Sequence, residues 1–349
     1  MKKTQFLIPL FKQMIRDSET GKRLKKNGER ITTGSIDNYK YVLQNLIQFS
    51  TDTNFELRVC SILRLTKREL QTEKTYWKKF YKNFTEFMYK KGCFDNYVGA
   101  NIKVIRTFFN YLKDEKDIYT GDYYKQFYVR KEEIDILVLS PEQLKFLIHN
   151  KEFESQLVST QRKVKDIFVF GCTTGLRFSD IFLLTNKNFE KTNDEWYLKL
   201  KSKKTKTYSF IKLPSYAVDI YKKHKDLSNI KPVFGTKNLA NFNRSIKRMG
   251  EMAGFTESIH VSREKQGKTK IISAKKSNQR FCDKMSSHMM RRTAITTLLI
   301  LGMPEHLVRK ISGHSHASSS FNRYVHYAQA YIDKEIDKVH VKLEAYYTI

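Results

Sequence analysis

Apolar positions recur at helical spacing through the first part of the chain. Across residues 36–49, Tyr39, Val42, Leu43 and Leu46 fall on one helical face, and Ser35 is placed to cap it. A second run over residues 74–89 carries Tyr76, Phe80, Phe84 and Phe87. A third over residues 100–112 carries Ile102, Ile105, Phe108, Phe109 and Leu112. Gly92, Gly99 and Gly121 fall outside these runs, where breaks are expected. Aromatic stripes of this kind read as core and not as stacking platforms. The prediction is a small domain of four or five helices over residues 1–125.

The pattern then changes. Residues 126–138 read as a linker, and a second domain is expected over 139–349. Ser140, Pro141 and Gln143 form a strong helix start: a cap, a proline at the first helical position and a capping-box partner. Residues 164–171 read as a buried helix and 177–184 as a short one. Residues 196–200 and 207–213 alternate like two strands joined by a lysine-rich turn, and a further basic hairpin is expected around 259–273. Helices at 287–301 and 304–312 end at Gly302 and Gly313. A last helix over 329–346 puts Ile332, Ile336, Val339 and Leu343 on one face. The fold class is therefore mainly α, with small β-hairpins or a small sheet.

Composition narrows the class. The 349 residues include only 14 Gly and 5 Pro, which favours long regular elements over low-complexity chain. The net charge is +29, well beyond what solubility needs, and implies a polyanionic partner. The charge is concentrated: residues 201–300 hold 23 basic against 6 acidic side chains. Cys60, Cys93, Cys172 and Cys282 lack metal-ligand spacing and read as free buried thiols. The first ten residues look briefly like a signal segment, but the apolar stretch breaks at Lys12 and no cleavage site follows. No apolar run reaches the ~20 residues a membrane span requires. A cytoplasmic, nucleoid-associated protein is expected.

Four short segments could carry chemistry. In Thr174-Gly175-Leu176-Arg177-Phe178-Ser179-Asp180, a turn glycine presents Arg177 at a helix start with Asp180 one turn on. Residues 201–206 form a basic turn suited to following a nucleic-acid groove. In Ser287-His288-Met289-Met290-Arg291-Arg292, His288 and Arg291 point the same way from a helix N-terminus, which favours phosphate. Gly313-His314 is followed ten residues on by Tyr324. Each segment alone is weak, and each has a structural reading as a surface pair, a solvated turn or an ordinary helix start.

Their order is not weak. G-L-R-x-S-D, a lysine-bearing hairpin, H-x-x-R, G-H and then Tyr occur in one sequence, and the set resembles the tyrosine recombinase family, the phage- and transposon-type integrases related to the Xer recombinases. The resemblance implies a helical SAM-like core DNA-binding domain over 1–125 and a mixed α/β catalytic domain over 139–349. It implies that Arg177 and Arg291 clamp the phosphate, that Lys204 is the hairpin lysine, that His288 is the first histidine, that His314 fills the His/Trp position and that Tyr324 is the nucleophile. Asp180 would orient Arg177. Tyr327 is the rival nucleophile. Arg292 stands where many relatives carry a second histidine. Ser312 stands where an aliphatic residue is common, and a looser helix end is expected there.

The chemistry needs these residue types. Two guanidiniums can hold both non-bridging oxygens and stabilise the charge of a pentacoordinate transition state. A phenol ordinarily titrates near ~10 and needs a base or a positive field to attack. His288 would take that proton and Lys204 would protonate the 5′-oxygen leaving group. No metal or cofactor is called for, and the sequence has neither a clustered acidic site nor a phosphate-binding glycine loop. The expected partner is double-stranded DNA bearing inverted-repeat sites, bound by a homotetramer at synapsis, with accessory DNA-bending factors possible for this class. The C-terminal helix would dock on a neighbouring protomer or pack in its own domain. The competing readings are a non-catalytic DNA-binding regulator and a type IB topoisomerase-like enzyme.

Overall fold

The computed structural model describes residues 4–63, 65–202, 208–272, 279–315 and 318–346. In chain order the elements are β1 (Thr4–Phe6), α1 (Leu7–Thr20), α2 (Thr33–Thr53), β2 (Arg58–Cys60), α3 (Lys67–Lys90) and α4 (Asp95–Lys116). Then come α5 (Pro141–His149), α6 (Lys151–Gln156), α7 (Ser159–Thr174), α8 (Phe178–Ile181), β3 (Phe189–Thr192), β4 (Glu195–Lys201) and β5 (Tyr208–Lys212). The chain closes with α9 (Ser215–His224), α10 (Leu239–Met252), β6 (Ser262–Lys265), β7 (Lys268–Ile271), α11 (Phe281–Lys284), α12 (Ser287–Ile300), α13 (Glu305–Ser312) and α14 (Ser319–Tyr346). No helix among the described residues is long and apolar enough to cross a membrane. Packing divides the chain into two compact units, residues 1–134 with 262–272, and residues 135–261 with 273–349.

The first unit is built from α1–α4 around an aromatic core in which Phe11, Phe49, Trp77, Phe80, Phe84, Phe108 and Phe109 are buried. Helix α1 has no counterpart among the predicted helices. Its apolar residues Leu7, Phe11, Met14 and Ile15 are its buried face, so the stretch that breaks at Lys12 is a helical stripe. Helix α2 is capped by Thr32 and not by Ser35; the Thr32 hydroxyl accepts from the Ser35 amide. Helix α3 begins at a Thr66–Glu69 capping box. On α3, Trp77 is buried and Tyr76, predicted on the core face, packs half-buried against the same core, with its hydroxyl donating to the Glu56 carbonyl at 2.7 Å.

Gly99 lies inside α4, not at a break between helices. A Cβ there would stand 2.1 Å from the Arg130 carbonyl oxygen, so only glycine admits this crossing of helix and chain. The hairpin β6–β7, expected with the second domain, packs into the first unit. Its two-residue turn, Gln266-Gly267, has positive φ at both positions (58° and 72°). The buried Asp95 carboxylate accepts from both turn amides, at 2.8 and 2.7 Å, and from the Tyr89 hydroxyl at 2.6 Å. The buried Glu132 carboxylate accepts from Arg263 at 3.0 and 2.6 Å and from the Glu264 amide at 2.7 Å.

The second unit is organised around α7, whose Val164, Ile167, Phe168, Val169 and Phe170 are all buried. A helix buried around its circumference is the centre of a core. Strands β3, β4 and β5 form an antiparallel sheet in that order, one strand more than predicted. The register pairs Leu198 with Ile211 and Lys201 with Tyr208. Leu198, Leu200, Ser209 and Ile211 face inward, while Tyr208 and Phe210 are exposed. The lysine of the predicted hairpin, Lys204, lies outside the described residues. All four cysteines are free thiols.

Candidate active site

The site is assembled where α12 crosses α7. A Cβ at Gly171 would stand 2.5 Å from Met290 Sδ and 3.0 Å from Met290 Cβ, so the missing side chain lets the two helices touch. Met290 immediately precedes Arg291. Gly175, at φ 66°, ends α7 in the left-handed conformation and offers its carbonyl to Arg291 Nη1 at 2.9 Å. Arg291 Nη2 donates to the Ser312 carbonyl and lies 3.3 Å from His314 Nδ1. One buried guanidinium thereby ties the ends of α7 and α13 to the second histidine.

Burial lowers the His314 pKa to about 4, with further lowering by Arg291, Arg177, Arg309 and His288. The ring is therefore neutral near pH 7 with one N–H to give. Burial also lowers Arg291, to about 10, with Arg177 adding to the shift and Tyr324 and Asp180 opposing it. A buried cation held down by a second cation makes a pocket that an anion would relieve.

Ser312 does not loosen the helix end, contrary to expectation. It is buried, its hydroxyl donates to the Val308 carbonyl at 2.7 Å, and the same oxygen lies 2.8 Å from His314 Nδ1. Its hydroxyl and its carbonyl both serve the site, which an aliphatic side chain could only half replace.

Arg177 caps the short helix α8 and is half-buried. Its Nη1 donates to Ser202 Oγ at 3.1 Å, and Ser202 Oγ donates to Asp180 Oδ2 at 3.1 Å. The direct Arg177–Asp180 approach is longer, 3.9 Å. The expected orienting role of Asp180 thus runs through a serine that the sequence reading did not single out.

Tyr324 lies on the second turn of α14, one continuous helix from Ser319 to Tyr346, where the last helix was expected to span only residues 329–346. It is 7% exposed and packs with Ile295, Val308 and Phe321. Its ring centroid is 6.0 Å from that of His314. Arg309, also missed in the sequence, fixes this region. Its guanidinium stacks 4.1 Å over Phe321 and donates to the Ser315 carbonyl at 3.1 Å and to Asn322 Oδ1 at 2.8 Å. His288 is exposed on the first turn of α12. Tyr327, one turn past Tyr324, is half-buried, and burial raises its pKa. The structure therefore brings Arg177, Arg291, His314 and Tyr324 together, with His288 at the edge.

Residues 138–330 match the phage integrase family, a span that contains all of these side chains. The chain belongs to that family. It is a tyrosine-type site-specific recombinase, as the ordered motifs implied. Its fold is similar to that of several solved recombinases. The Tn1549 transposon integrase in complex with transposon right-end DNA superposes with a TM-score of 0.58 at 15% identity, over 95% of this chain and 99% of that one. The XerH recombinase bound to a palindromic difH substrate gives 0.59 at 13%, over 92% and 91%. A lambda integrase dimer bound to a COC′ core site gives 0.58 at 11%, over 92% and 77%. No curated protein sequence matches the recombinase.

Proposed function

We propose that the recombinase binds duplex DNA and cleaves one strand at a time through a 3′-phosphotyrosine made by Tyr324. The observation that carries this reading is the convergence on Arg291. Its guanidinium joins the end of α7, the end of α13 and His314, and Arg177 and Tyr324 both act electrostatically on it.

In this reading Arg177 and Arg291 bind the non-bridging oxygens of the scissile phosphate and neutralise the charge added in the transition state. His314 donates its ring N–H to the same phosphate. The Tyr324 phenolic oxygen attacks phosphorus, and its proton passes to His288. The bond from phosphorus to the 5′-oxygen breaks as Lys204 protonates that oxygen. The phosphotyrosine retains the bond energy, and a 5′-hydroxyl from another strand reverses the step. Phosphate affinity comes from the basic stretch 201–300 and is expected to fall steeply with salt.

Assembly follows from α14. Ile336 and Val339 are 48% and 55% exposed beside a groove of about 440 Å³ lined by Ile300, Tyr331, Ile332, Ile336, Val339 and His340. This face would dock on a second copy when four protomers synapse two inverted-repeat sites.

The test is a nicked suicide substrate carrying the recombination site. The wild type is expected to form a covalent protein–DNA adduct; Tyr324→Phe is expected to bind equally and form none. Adducts that persist in Tyr324→Phe and vanish in Tyr327→Phe would move the nucleophile to Tyr327.

A further inference from the structure

We propose that Ser202 is a positioning residue for the cleavage step, a hydroxyl spacer that keeps the Arg177 guanidinium off Asp180 and turned toward the scissile phosphate. This rests on the assignment of Arg177 to that phosphate.

The hydrogen-bond directions are fixed by chemistry. Arg177 has only donors, so the 3.1 Å contact uses a lone pair of Ser202 Oγ. A carboxylate only accepts, so the single hydroxyl proton goes to Asp180 Oδ2, also at 3.1 Å. The serine is 5% exposed and Asp180 4%, so water does not compete at this junction. The guanidinium and carboxylate are left 3.9 Å apart. Without the hydroxyl, an arginine beside a buried carboxylate closes to a direct, charge-assisted contact, shorter by about 1 Å. That movement draws the fork away from a phosphate in the pocket.

Placement gives the spacer a second consequence. Ser202 directly follows β4, whose last paired residue is Lys201 opposite Tyr208, and directly precedes the lysines of residues 203–206. Arg177 caps α8 and Asp180 lies within it. One hydroxyl thus joins α8, which presents the clamp arginine, to the end of β4.

Displacement of a clamp group by about 1 Å costs on the order of 100-fold in rate. Ser202→Ala is therefore expected to lower single-turnover cleavage at saturating DNA by about 10- to 100-fold, with the Kd for DNA changed less than about threefold. Ser202→Thr, which keeps the hydroxyl, should recover most of the rate. Ser202→Cys, close in volume with a weaker acceptor, should fall between, and it carries the test if the alanine variant does not fold. The decisive arm uses a methylphosphonate at the scissile position, which removes one charged oxygen. On that substrate the wild type and Ser202→Ala should cleave at the same rate, because there is less charge for Arg177 to hold. An unchanged rate in Ser202→Ala on the natural phosphate overturns the proposal. So does an equal deficit on both substrates, which would mark a general structural defect. Tyr324→Phe, run in parallel, tests the nucleophile separately: adducts in that variant would overturn the site assignment whatever Ser202 does.

Discussion

Gly171→Ala tests whether helix packing sets the catalytic geometry. The new Cβ would stand 2.5 Å from Met290 Sδ, 3.0 Å from Met290 Cβ and 3.1 Å from Ile181 Cδ1. The sulfur can swing aside. The Met290 Cβ is one bond from the α12 backbone, so α12 must move by a few tenths of an ångström. Overpacking of this kind costs about 1–3 kcal/mol, and alanine recovers about 1 kcal/mol of helix propensity over glycine. The net loss of stability is then about 0–2 kcal/mol, a fall in Tm of at most roughly 8 °C for a unit of this size. The loss of activity should be larger than that suggests. Arg291 follows Met290, and its Nη1 bond to the Gly175 carbonyl is 2.9 Å, with little slack. Single-turnover cleavage of the suicide substrate at saturating enzyme is expected to fall about tenfold or more, with thermal denaturation measured in parallel. Met290→Ala in the same chain removes the sulfur and keeps the 3.0 Å Cβ contact, so it should leave the rate low. The double variant should be less destabilised than the two singles added. A destabilised Gly171→Ala that cleaves at the wild-type rate would refute the link between this contact and Arg291.

Two further predictions concern ionisation. Burial raises the pKa of Asp95 and of Glu132, but the bonds from Tyr89, Gly267 and Gln266 to the first, and from Arg263 and Glu264 to the second, outweigh it and hold both below their usual values. The unfolded chain therefore binds these protons more readily. The anchoring of β6–β7 is complete above about pH 4.5 and is lost as pH falls through the lower folded values. Hydrogen exchange at the Gln266 and Gly267 amides should speed up in acid, and at neutral pH in Asp95→Asn; protection unchanged in that variant would count against the anchor. His314, lowered to about 4, should stay neutral from pH 8 to pH 5 in nitrogen-15 NMR of the imidazoles. A His314 titration near 6.5 would contradict the buried, arginine-flanked ring.

The sequence by itself determined the helical first domain, the ends of α12 and α13 and the family to which the chain belongs. Helical periodicity and glycine stops are local, and the order Arg177, His288, Arg291, His314, Tyr324 needs no coordinates to be read. It did not determine α1, whose stripe is short and opens beside a signal-like lysine pair, or β3, which is only four residues long. It placed Gly99 between helices because a glycine reads as a break, whereas the carbonyl of Arg130 requires it within one. The basic hairpin was legible as a hairpin, but its place in the first unit depends on Asp95 and Glu132, carboxylates 171 and 131 residues away along the chain. Ser202 was invisible for the same reason, since a lone serine carries no pattern, and Ser312 was legible only as a departure from the family whose contacts could not be read. Only the tertiary structure puts one hydroxyl between Arg177 and Asp180 and another against His314, because a hydrogen bond is decided by distances of about 3 Å in space and by nothing in the spacing along the chain.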